Sequence, residues 1–382
     1  MLAKYLLVRL KYLTIRLVAR YLAAACHITE DAMNFQGAWT AIITPMTSDA
    51  GVDWEGLEKN LQFQIEQGIT GLVPAGTTGE SPTLSWDEHD KLIERTLTLA
   101  KGKCEVIAGT GSNSTQEAVE STEHAVEHGA KAALLVDCYY NGPSSLELRN
   151  EYYGVLAEMF PEVSFIPYII PGRSGTALGV EDLAILANEF PNISAVKEAT
   201  GDLERMARTR ELTSPKFNIM SGDDDLTLKM MTDNTIMADG VISVVSNVAP
   251  AAVTQMVKSV LNGDLETAEA LSDALSPLFG IVTVKTESPR LLPDGTTVMV
   301  QDRFRNPVGI KTLMEALGMP AGPGRQPLGK MTIEGVDAVR TAVRMVWEDN
   351  PEILEPIARF YGIDIKTRIN TDSIWSALSY PE

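Results

Sequence analysis

The chain has 382 residues, of which 45% are hydrophobic and 22% are charged. This ordinary globular composition excludes a disordered, collagen-like or coiled-coil protein, and the length fits one large α/β domain or two smaller ones. The 32 basic and 51 acidic residues give a formal net charge of −19, which disfavours nucleic-acid binding because phosphate contacts need clustered Lys and Arg.

The first 32 residues differ from the rest of the chain. They carry five basic and two acidic residues, a net charge of +3, which leaves −22 for residues 33–382. Arg16 and Arg20 interrupt the apolar run, so neither a membrane span nor the apolar region of a secretory signal is predicted. Three alternatives stay open: a start upstream of the true first residue Met33, a targeting segment, or an amphipathic helix.

Cysteines and histidines are sparse. Cys26, Cys104 and Cys138 form no CxxC pair, so we expect a reducing compartment rather than a disulfide scaffold. His124 and His128 are four residues apart on a predicted helix, but no Glu-x-x-His pattern accompanies them. A solvated or helix-end role is therefore predicted for both, and no metal site is expected.

From residue 37 the chain alternates short apolar runs with helical patterns. The predicted strands are Ala38–Pro45, Gly71–Ala75, Glu105–Gly109, Ala132–Cys138, Ser164–Ile169, Ile193–Glu198, Asn218–Ser221 and Gly240–Val245. Eight such units predict a (β/α)8 barrel over residues 33–249. A doubly wound open sheet is the alternative, but no G-x-G-x-x-G follows the first strand. Pro74 and Pro167 lie inside predicted strands and should cause local irregularity.

Helix boundaries follow from capping patterns. Asp53 is predicted to begin a helix that Gly68 ends. Capping boxes are predicted at Ser85–Glu88, Ser114–Glu117 and Ser144–Glu147. The triple Asp223–Asp225 is expected at a helix N-terminus, where the dipole favours carboxylates, rather than at a metal.

The residues after 249 are predicted to form a helical C-terminal region over 250–349 and an extension over 350–382. Helices are expected at 250–278, 307–317 and 333–347, and residues 319–329, rich in Pro and Gly, should form a loop. Residues 287–305 read as an inserted β-hairpin or ordered loop. The extension is predicted to contain a helix and a mixed tail.

Active sites of such barrels lie at the carboxyl ends of the strands. The predicted strands two, four, five, six and seven end in or run into these segments: Gly76–Glu80, Tyr139–Asn141, Tyr168–Gly175, Ala195–Gly201 and Ser221–Asp225. Lys197 is the most informative residue among them. If Ile193, Ala195, Lys197 and Ala199 face the barrel interior, burial would lower the pKa of the amine and favour attack on a carbonyl.

The residues predicted to lie near Lys197 favour a nucleophilic amine that attacks a carbonyl over a salt-bridged lysine. Tyr140, Tyr168 and Thr77 could shuttle protons for a Schiff base. The Gly-Thr-Thr-Gly turn could offer backbone N–H groups to a 2-oxo acid carboxylate, and Arg173 could hold a second carboxylate. Each feature alone could be a turn, a packing contact or a surface pair.

These motifs, with Gly240–Val244, resemble the dihydrodipicolinate synthase and N-acetylneuraminate lyase superfamily of class I aldolases in order and spacing over residues 33 to about 347. The resemblance implies that Lys197 forms an imine with pyruvate and that Tyr168 shuttles protons at the imine and enamine. It implies that Thr77 connects Tyr168 to Tyr140, which reaches in from a neighbouring subunit of a tetramer built from tight dimers. Arg173 indicates the synthase branch.

The resemblance also implies the substrate contacts. Thr78 holds the pyruvate carboxylate, Gly222 and Ile242 contribute backbone near pyruvate, and Arg173 binds the carboxylate of L-aspartate 4-semialdehyde. The product would be 4-hydroxy-tetrahydrodipicolinate, which enters lysine synthesis. No metal or organic cofactor is implied. A cytoplasmic location is expected, or an organelle if residues 1–32 are a genuine transit segment.

Some members of this superfamily bind lysine as a feedback inhibitor at the dimer interface. The matching positions are Ser81, Trp86, His89, Asn113, Glu117 and Tyr139. Trp86 resembles the plant-type version of that site. A capping role for Glu117 and a solvated one for His89 are the alternatives.

The chain departs from the family pattern at several points. Gly142 replaces the usual basic residue, Ile169 replaces the usual Asn, and the 287–305 insertion has no counterpart. A second interpretation of the function therefore stays open: the chain is a pyruvate aldolase that acts on a sugar acid or on 4-hydroxy-2-oxoglutarate. A third is a non-catalytic barrel used for binding or assembly.

Overall fold

A computed structural model describes residues 33–381, so the predictions for residues 1–32 lie outside the described part. Eight parallel strands form a closed barrel in sequential order, with β1 paired to β8. The strands are β1 Gly37–Ala41, β2 Gly71–Val73, β3 Glu105–Gly109, β4 Ala132–Val136, β5 Ser164–Ile169, β6 Ala195–Glu198, β7 Asn218–Ser221 and β8 Gly240–Ser243. The barrel prediction is confirmed, and the doubly wound alternative is wrong.

The α-helices around and after the barrel are numbered in chain order. They are α1 Trp54–Glu66, α2 Trp86–Ala100, α3 Thr115–Glu127, α4 Ser145–Glu147 continued by the π-helical Leu148–Tyr153 and by Gly154–Met159, α5 Pro171–Ser174, α6 Val180–Glu189, α7 Leu203–Leu212, α8 Thr227–Thr232, α9 Pro250–Leu261, α10 Leu265–Phe279, α11 Val308–Leu317, α12 Ile333–Asp349, α13 Glu355–Tyr361, α14 Ile365–Asn370 and α15 Asp372–Ser376. Over residues 33–381, no helix is long and apolar enough to cross a bilayer.

Several strands end earlier than predicted. β1 stops at Ala41 rather than Pro45, and β8 at Ser243 rather than Val245, because loop and turn conformations begin there. Pro74 follows the end of β2, whereas Pro167 lies inside β5, opposite Leu135. Ile193 makes only an isolated bridge, and its side chain belongs to the outer core rather than to the interior face.

Two apolar layers hold the barrel. The interior is filled by side chains that include Trp39, Ile107, Ile166, Met220 and Ile242. A larger outer layer packs the strands against the surrounding helices. Full burial of one such aliphatic side chain contributes about 1.5–3 kcal/mol to stability. Because side chains fill the interior, it forms a packed, rigid floor beneath the strand ends.

The observed helix N-caps agree with those predicted from the sequence, with one exception. The Asp53 cap and the boxes at Ser85 and Ser144 are confirmed. At Ser114 only half of the predicted box forms: the hydroxyl accepts from the Glu117 backbone, while the Glu117 carboxylate accepts from Ser112 Oγ at 2.5 Å. The prediction of a complete capping box there is wrong, and the carboxylate is turned to another partner.

The C-terminal region folds onto the barrel. The helix predicted at 250–278 is broken by Gly263, which has a positive φ, into α9 and α10. The predicted insertion is an antiparallel hairpin formed by β9 Thr283–Leu291 and β10 Thr297–Arg305. In the extension, the Tyr361 hydroxyl donates to Asn60 of α1 at 2.8 Å.

Candidate active site

Lys197 lies near the carboxyl end of β6 and is 5% exposed. Its pKa is lowered to about 8, mainly because burial disfavours the charged amine, and nearby Arg173 acts in the same direction. Asp223 and Asp224 oppose this shift through their negative charges. The neutral amine, which is the nucleophilic form, is therefore accessible near pH 8.

Barrel register places Tyr168 beside Lys197. The two residues are paired across β5 and β6, and the lysine Nζ lies 4.1 Å from the centroid of the tyrosine ring. Burial raises the pKa of Tyr168 to about 12, while Arg173 and a hydrogen bond with the Thr77 side chain lower it. A protonated phenol thus stands next to the amine, as a proton shuttle requires.

Gly222 lets the end of β7 approach the lysine. A Cβ added at Gly222 would lie 2.7 Å from Ala199 Cβ and 3.1 Å from Lys197 Cε, while its N–H donates to Glu198 O at 2.6 Å. Any larger residue would displace the strand end that carries the amine. Ile242 lines the buried interior of the barrel.

The carboxylate on the opposite face of β6 belongs to the scaffold. Glu198 is fully buried and pairs with Arg205 at 3.1 Å. The pKa of Glu198 is raised to about 7 by burial, against the lowering effect of Arg205. This pair holds α7 against β6 outside the barrel.

A cavity of about 220 Å³ opens above these strand ends. The residues predicted for the site that line it are Thr77, Ser81, Tyr139, Tyr168 and Arg173, whereas Lys197, Thr78, Gly222 and Ile242 are not among its lining residues. Arg173 stands at its mouth on α5. Desolvation by the protein atoms around the guanidinium lowers the pKa of Arg173 although much of the side chain meets solvent, and Arg305 and Arg303 act in the same direction.

The inserted hairpin delivers residues to the site that the sequence did not reveal. Asn306 directly follows β10; its Nδ2 donates to Thr78 Oγ1 at 2.9 Å, and its carbonyl accepts from Arg173 Nη2 at 2.9 Å. Arg305 Nη1 donates to the Gly172 carbonyl at 2.5 Å. The end of the hairpin therefore connects Thr78, predicted to hold pyruvate, with Arg173.

The loop that carries Thr77 and Thr78 is fixed from the C-terminal region. Glu80, with a φ of 58°, pairs with buried Lys311 at 2.6 Å and accepts from the Arg325 N–H at 2.7 Å. Breaking such a buried pair on one side is costly, because it leaves an uncompensated charge. The helical C-terminal region thus helps to hold the site in place.

Two other sequence predictions had different outcomes. Tyr140 is 93% exposed with a φ of 72°, so within one chain it does not join Tyr168 and Thr77. The predicted helix N-terminus at Asp223–Asp225 is confirmed, because Asp223 precedes a 3-10 helix over Asp224–Leu226 that leads into α8. Asp224 also has a second role. It is buried and accepts hydrogen bonds from Ser243 Oγ and from the Val244 and Val245 N–H groups, which ties β7 to the turn after β8.

The predicted lysine-binding residues lie in two groups. Trp86 and His89 are in edge-to-face contact, with ring centroids 5.1 Å apart, and both nitrogens of the buried His89 ring lack a hydrogen-bond partner. Near the second group, burial and the negative charge of Glu117 raise the pKa of Tyr139, and Asn113 Oδ1 is buried without a partner. Ser81 and Tyr139 line the same cavity.

The fold and this buried lysine define a (β/α)8-barrel enzyme of the class I aldolase type. Residues 34–346 match the Dihydrodipicolinate synthetase family, and the chain belongs to that family. It is 41% identical over 307 residues to 4-hydroxy-tetrahydrodipicolinate synthase of Methanothrix thermoacetophila, covering 80% of this chain and 95% of the relative.

Two solved structures of synthases are similar to this chain in sequence and in fold. Dihydrodipicolinate synthase of Acinetobacter baumannii in complex with pyruvate is 35% identical, with a TM-score of 0.72, covering 82% of this chain and 99% of that one. The synthase of Cyanidioschyzon merolae with lysine bound is 34% identical, with a TM-score of 0.73, covering 82% and 98%.

Proposed function

We propose that this protein is a 4-hydroxy-tetrahydrodipicolinate synthase that condenses pyruvate with L-aspartate 4-semialdehyde through an imine on Lys197. The observation that carries the proposal is the buried amine, with a pKa lowered to about 8, held beside Tyr168, which lines a cavity together with Arg173. The family membership supports the same reaction.

The steps follow from the groups present. Neutral Lys197 Nζ attacks C2 of pyruvate, and water leaves as the imine forms, with Tyr168 and Thr77 relaying the protons. The Tyr168 relay takes a proton from C3 to give the enamine; C3 then bonds to the aldehyde carbon of the second substrate, the aldehyde π bond breaks, and its oxygen takes a proton from the relay to become a hydroxyl group. The amino group of that substrate then attacks C2, closes the ring and releases Lys197. No metal or organic cofactor takes part in this scheme.

Two hydrogen-bond donors, one neutral and one positively charged, are proposed to bind the two carboxylates. Thr78, held by Asn306, is proposed to bind the pyruvate carboxylate, with backbone near Gly222 and Ile242 beside it. Arg173 is proposed to bind the carboxylate of the aldehyde in a bidentate pair. A site of this kind holds anions although the chain carries a net charge of −19.

The proton relay is proposed to be completed between subunits. Tyr140 projects from the chain with 93% of its side chain exposed, and a φ of 72° costs energy for a non-glycine residue. We propose that it enters the site of a neighbouring chain and meets Thr77 there, in a homotetramer built from tight dimers. A large exposed aromatic side chain gains most when a partner buries it.

The substrate assignment is tested by product analysis. The purified protein is incubated with pyruvate and, in separate reactions, with L-aspartate 4-semialdehyde or with the aldehydes formed from 2-keto-3-deoxy sugar acids and 4-hydroxy-2-oxoglutarate. We expect rapid condensation only with the amino-acid aldehyde. Faster turnover with glyoxylate or a sugar aldehyde would assign the chain to the pyruvate aldolases instead. No turnover with any of them would favour a non-catalytic barrel.

The lowered pKa predicts a pH dependence for imine formation. Below pH 8 the amine of Lys197 is mostly protonated, so the rate should rise about tenfold per pH unit and level off above about pH 8.5. The measurement is quenched-flow imine formation, with every sample quenched into one borohydride buffer so that trapping conditions are constant. A rise that continued to pH 10.5 would contradict a buried, perturbed lysine.

L-Lysine is a second proposed ligand. The Nε2 of His89 and Asn113 Oδ1 have no hydrogen-bond partner, His89 Nδ1 lies 3.6 Å from Asp90 Oδ1, and the Glu117 carboxylate accepts one bond from Ser112; these polar groups are proposed to contact the amino acid. We expect calorimetry to show binding at or below millimolar lysine, at least tenfold weaker in Glu117→Gln because one charge-assisted hydrogen bond is lost. Glu120→Gln, an exposed change on the same helix, is the control. Lack of binding at millimolar lysine would refute the proposal.

A further inference from the structure

A second group of ligating side chains lies on the outside of the barrel, between α2 and α3. Glu94 of α2, His124 of α3 and His128, the residue that caps the C-terminus of α3, each offer one ligand atom, and these atoms lie within 4.8 Å of one another. The sequence showed only the two histidines, four residues apart, because Glu94 comes from another helix. The group shares no residue with the cavity above the strands.

The two imidazole rings lie side by side, with centroids 4.2 Å apart, and His128 is oriented as metal-ligating histidines usually are. The Nδ1 of His128 lies 2.8 Å from the His124 carbonyl, and as a donor it leaves Nε2 free to bind. A ligating histidine typically makes this kind of hydrogen bond, which fixes its tautomer and ring orientation. The Nε2 of His124 is buried and has no hydrogen-bond partner. His128 is therefore pre-oriented for binding, and the Nε2 of His124 is a buried polar atom that lacks a hydrogen-bond partner.

The surroundings favour a cation. His124 and Glu94 line a concave surface together with Asp87, Asp90, Lys91 and Arg95. The two basic residues are engaged elsewhere: Lys91 Nζ lies 4.5 Å above the Trp54 ring, and Arg95 pairs with Glu58 at 2.5 Å. Lys91 keeps its positive charge over the ring, so the three lining carboxylates of Asp87, Asp90 and Glu94 exceed the two lining cations by one, and Glu58 further balances the charge of Arg95.

We propose that Glu94, His124 and His128 form a binding site for a divalent ion of the zinc class, which joins α2 to α3. Two imidazoles and one carboxylate suit Zn²⁺, with a fourth position for water, whereas Mg²⁺ and Ca²⁺ prefer oxygen ligands. Zinc–nitrogen bonds of about 2.1 Å place tetrahedral ligands roughly 3.4 Å apart. Glu94 and His128 are exposed, so their side chains can close the remaining gap.

The test is calorimetric titration of the untagged full chain with Zn²⁺ at pH 7.5, with Mg²⁺ as a comparison ion. We expect one Zn²⁺ per chain at micromolar affinity, a raised Tm with Zn²⁺ and no heat from Mg²⁺. His124→Ala and His128→Ala should each weaken binding by 30-fold or more, and Glu94→Gln by about tenfold. Glu123→Gln, an exposed acid next to His124, should leave the affinity unchanged.

Binding unchanged in both histidine variants would overturn the proposal, because the ion would then sit elsewhere on the chain. A dissociation constant above 1 mM for the unaltered protein would also overturn it. These readouts do not depend on enzymatic activity, so they are unaffected by the fate of the proposed reaction.

Discussion

Replacing Lys197 with Met is expected to abolish the pyruvate adduct and to lower kcat for condensation on the order of 10⁴-fold or more, as loss of a covalent nucleophile does in other enzymes. The amine is the only atom of the side chain that can form the imine, and methionine fills nearly the same apolar volume. The measurement is mass spectrometry of the intact protein after incubation with pyruvate and borohydride, followed by peptide mapping to residue 197.

Stability distinguishes this loss of chemistry from unfolding. A lysine pKa that falls from 10.5 to about 8 on folding means that burial of the amine costs about 3 kcal/mol below pH 8. This cost fades between pH 8 and 10.5, where the folded state binds fewer protons than the unfolded one. Lys197→Met should therefore raise Tm at pH 7, and Lys216→Met, an exposed change, should alter neither adduct nor Tm. A Lys197→Met protein that still gains the reduced adduct would refute the assigned role.

The barrel could be predicted from the sequence because its signals are local. Each strand is a short apolar run closed by turn residues, and several helices begin at a capping side chain such as Asp53 or Ser85. Strand ends were less certain, because the point at which pairing stops depends on neighbours in the barrel. β1, for example, ends at Ala41, four residues before the predicted end.

The centre of the candidate site was also predictable. In a parallel barrel, all carboxyl ends meet at one rim, so Lys197 and Tyr168 had to be near each other once their strands were placed. Their direct pairing follows from the register of β5 and β6, which no local pattern specifies.

Contacts between distant parts of the chain could not be predicted. Asn306 reaches Thr78 across 228 residues, and Arg305 reaches Gly172 across 133. The hairpin itself was recognisable from Asp294-Gly295 and the alternation that follows, but nothing in that pattern shows where its ends dock. The same holds for Glu94, which joins two histidines from a neighbouring helix.

Changing Arg173 to Ala should separate the two half-reactions. Loss of a bidentate bond to a carboxylate removes two charge-assisted hydrogen bonds of about 1.5–3 kcal/mol each, so condensation with L-aspartate 4-semialdehyde should fall by about 10²–10⁴-fold. Adduct formation with pyruvate should slow less than tenfold, because Arg173 acts on Lys197 only through its charge. The measurements are kcat/KM for the aldehyde and the rate of borohydride-trapped adduct.

Two companion variants show whether Arg173 acts through geometry or charge. Arg173→Lys keeps the charge but not the planar fork, so it should restore the adduct rate without restoring condensation. Arg305→Gln removes the bond to the Gly172 carbonyl at the base of α5, so it should raise KM for the aldehyde only a few-fold, through a less ordered Arg173. Loss of the adduct in Arg173→Ala as complete as in Lys197→Met would place Arg173 in the pyruvate half of the site. Arg303 and Arg305 of the hairpin would then be the candidates for binding the aldehyde carboxylate.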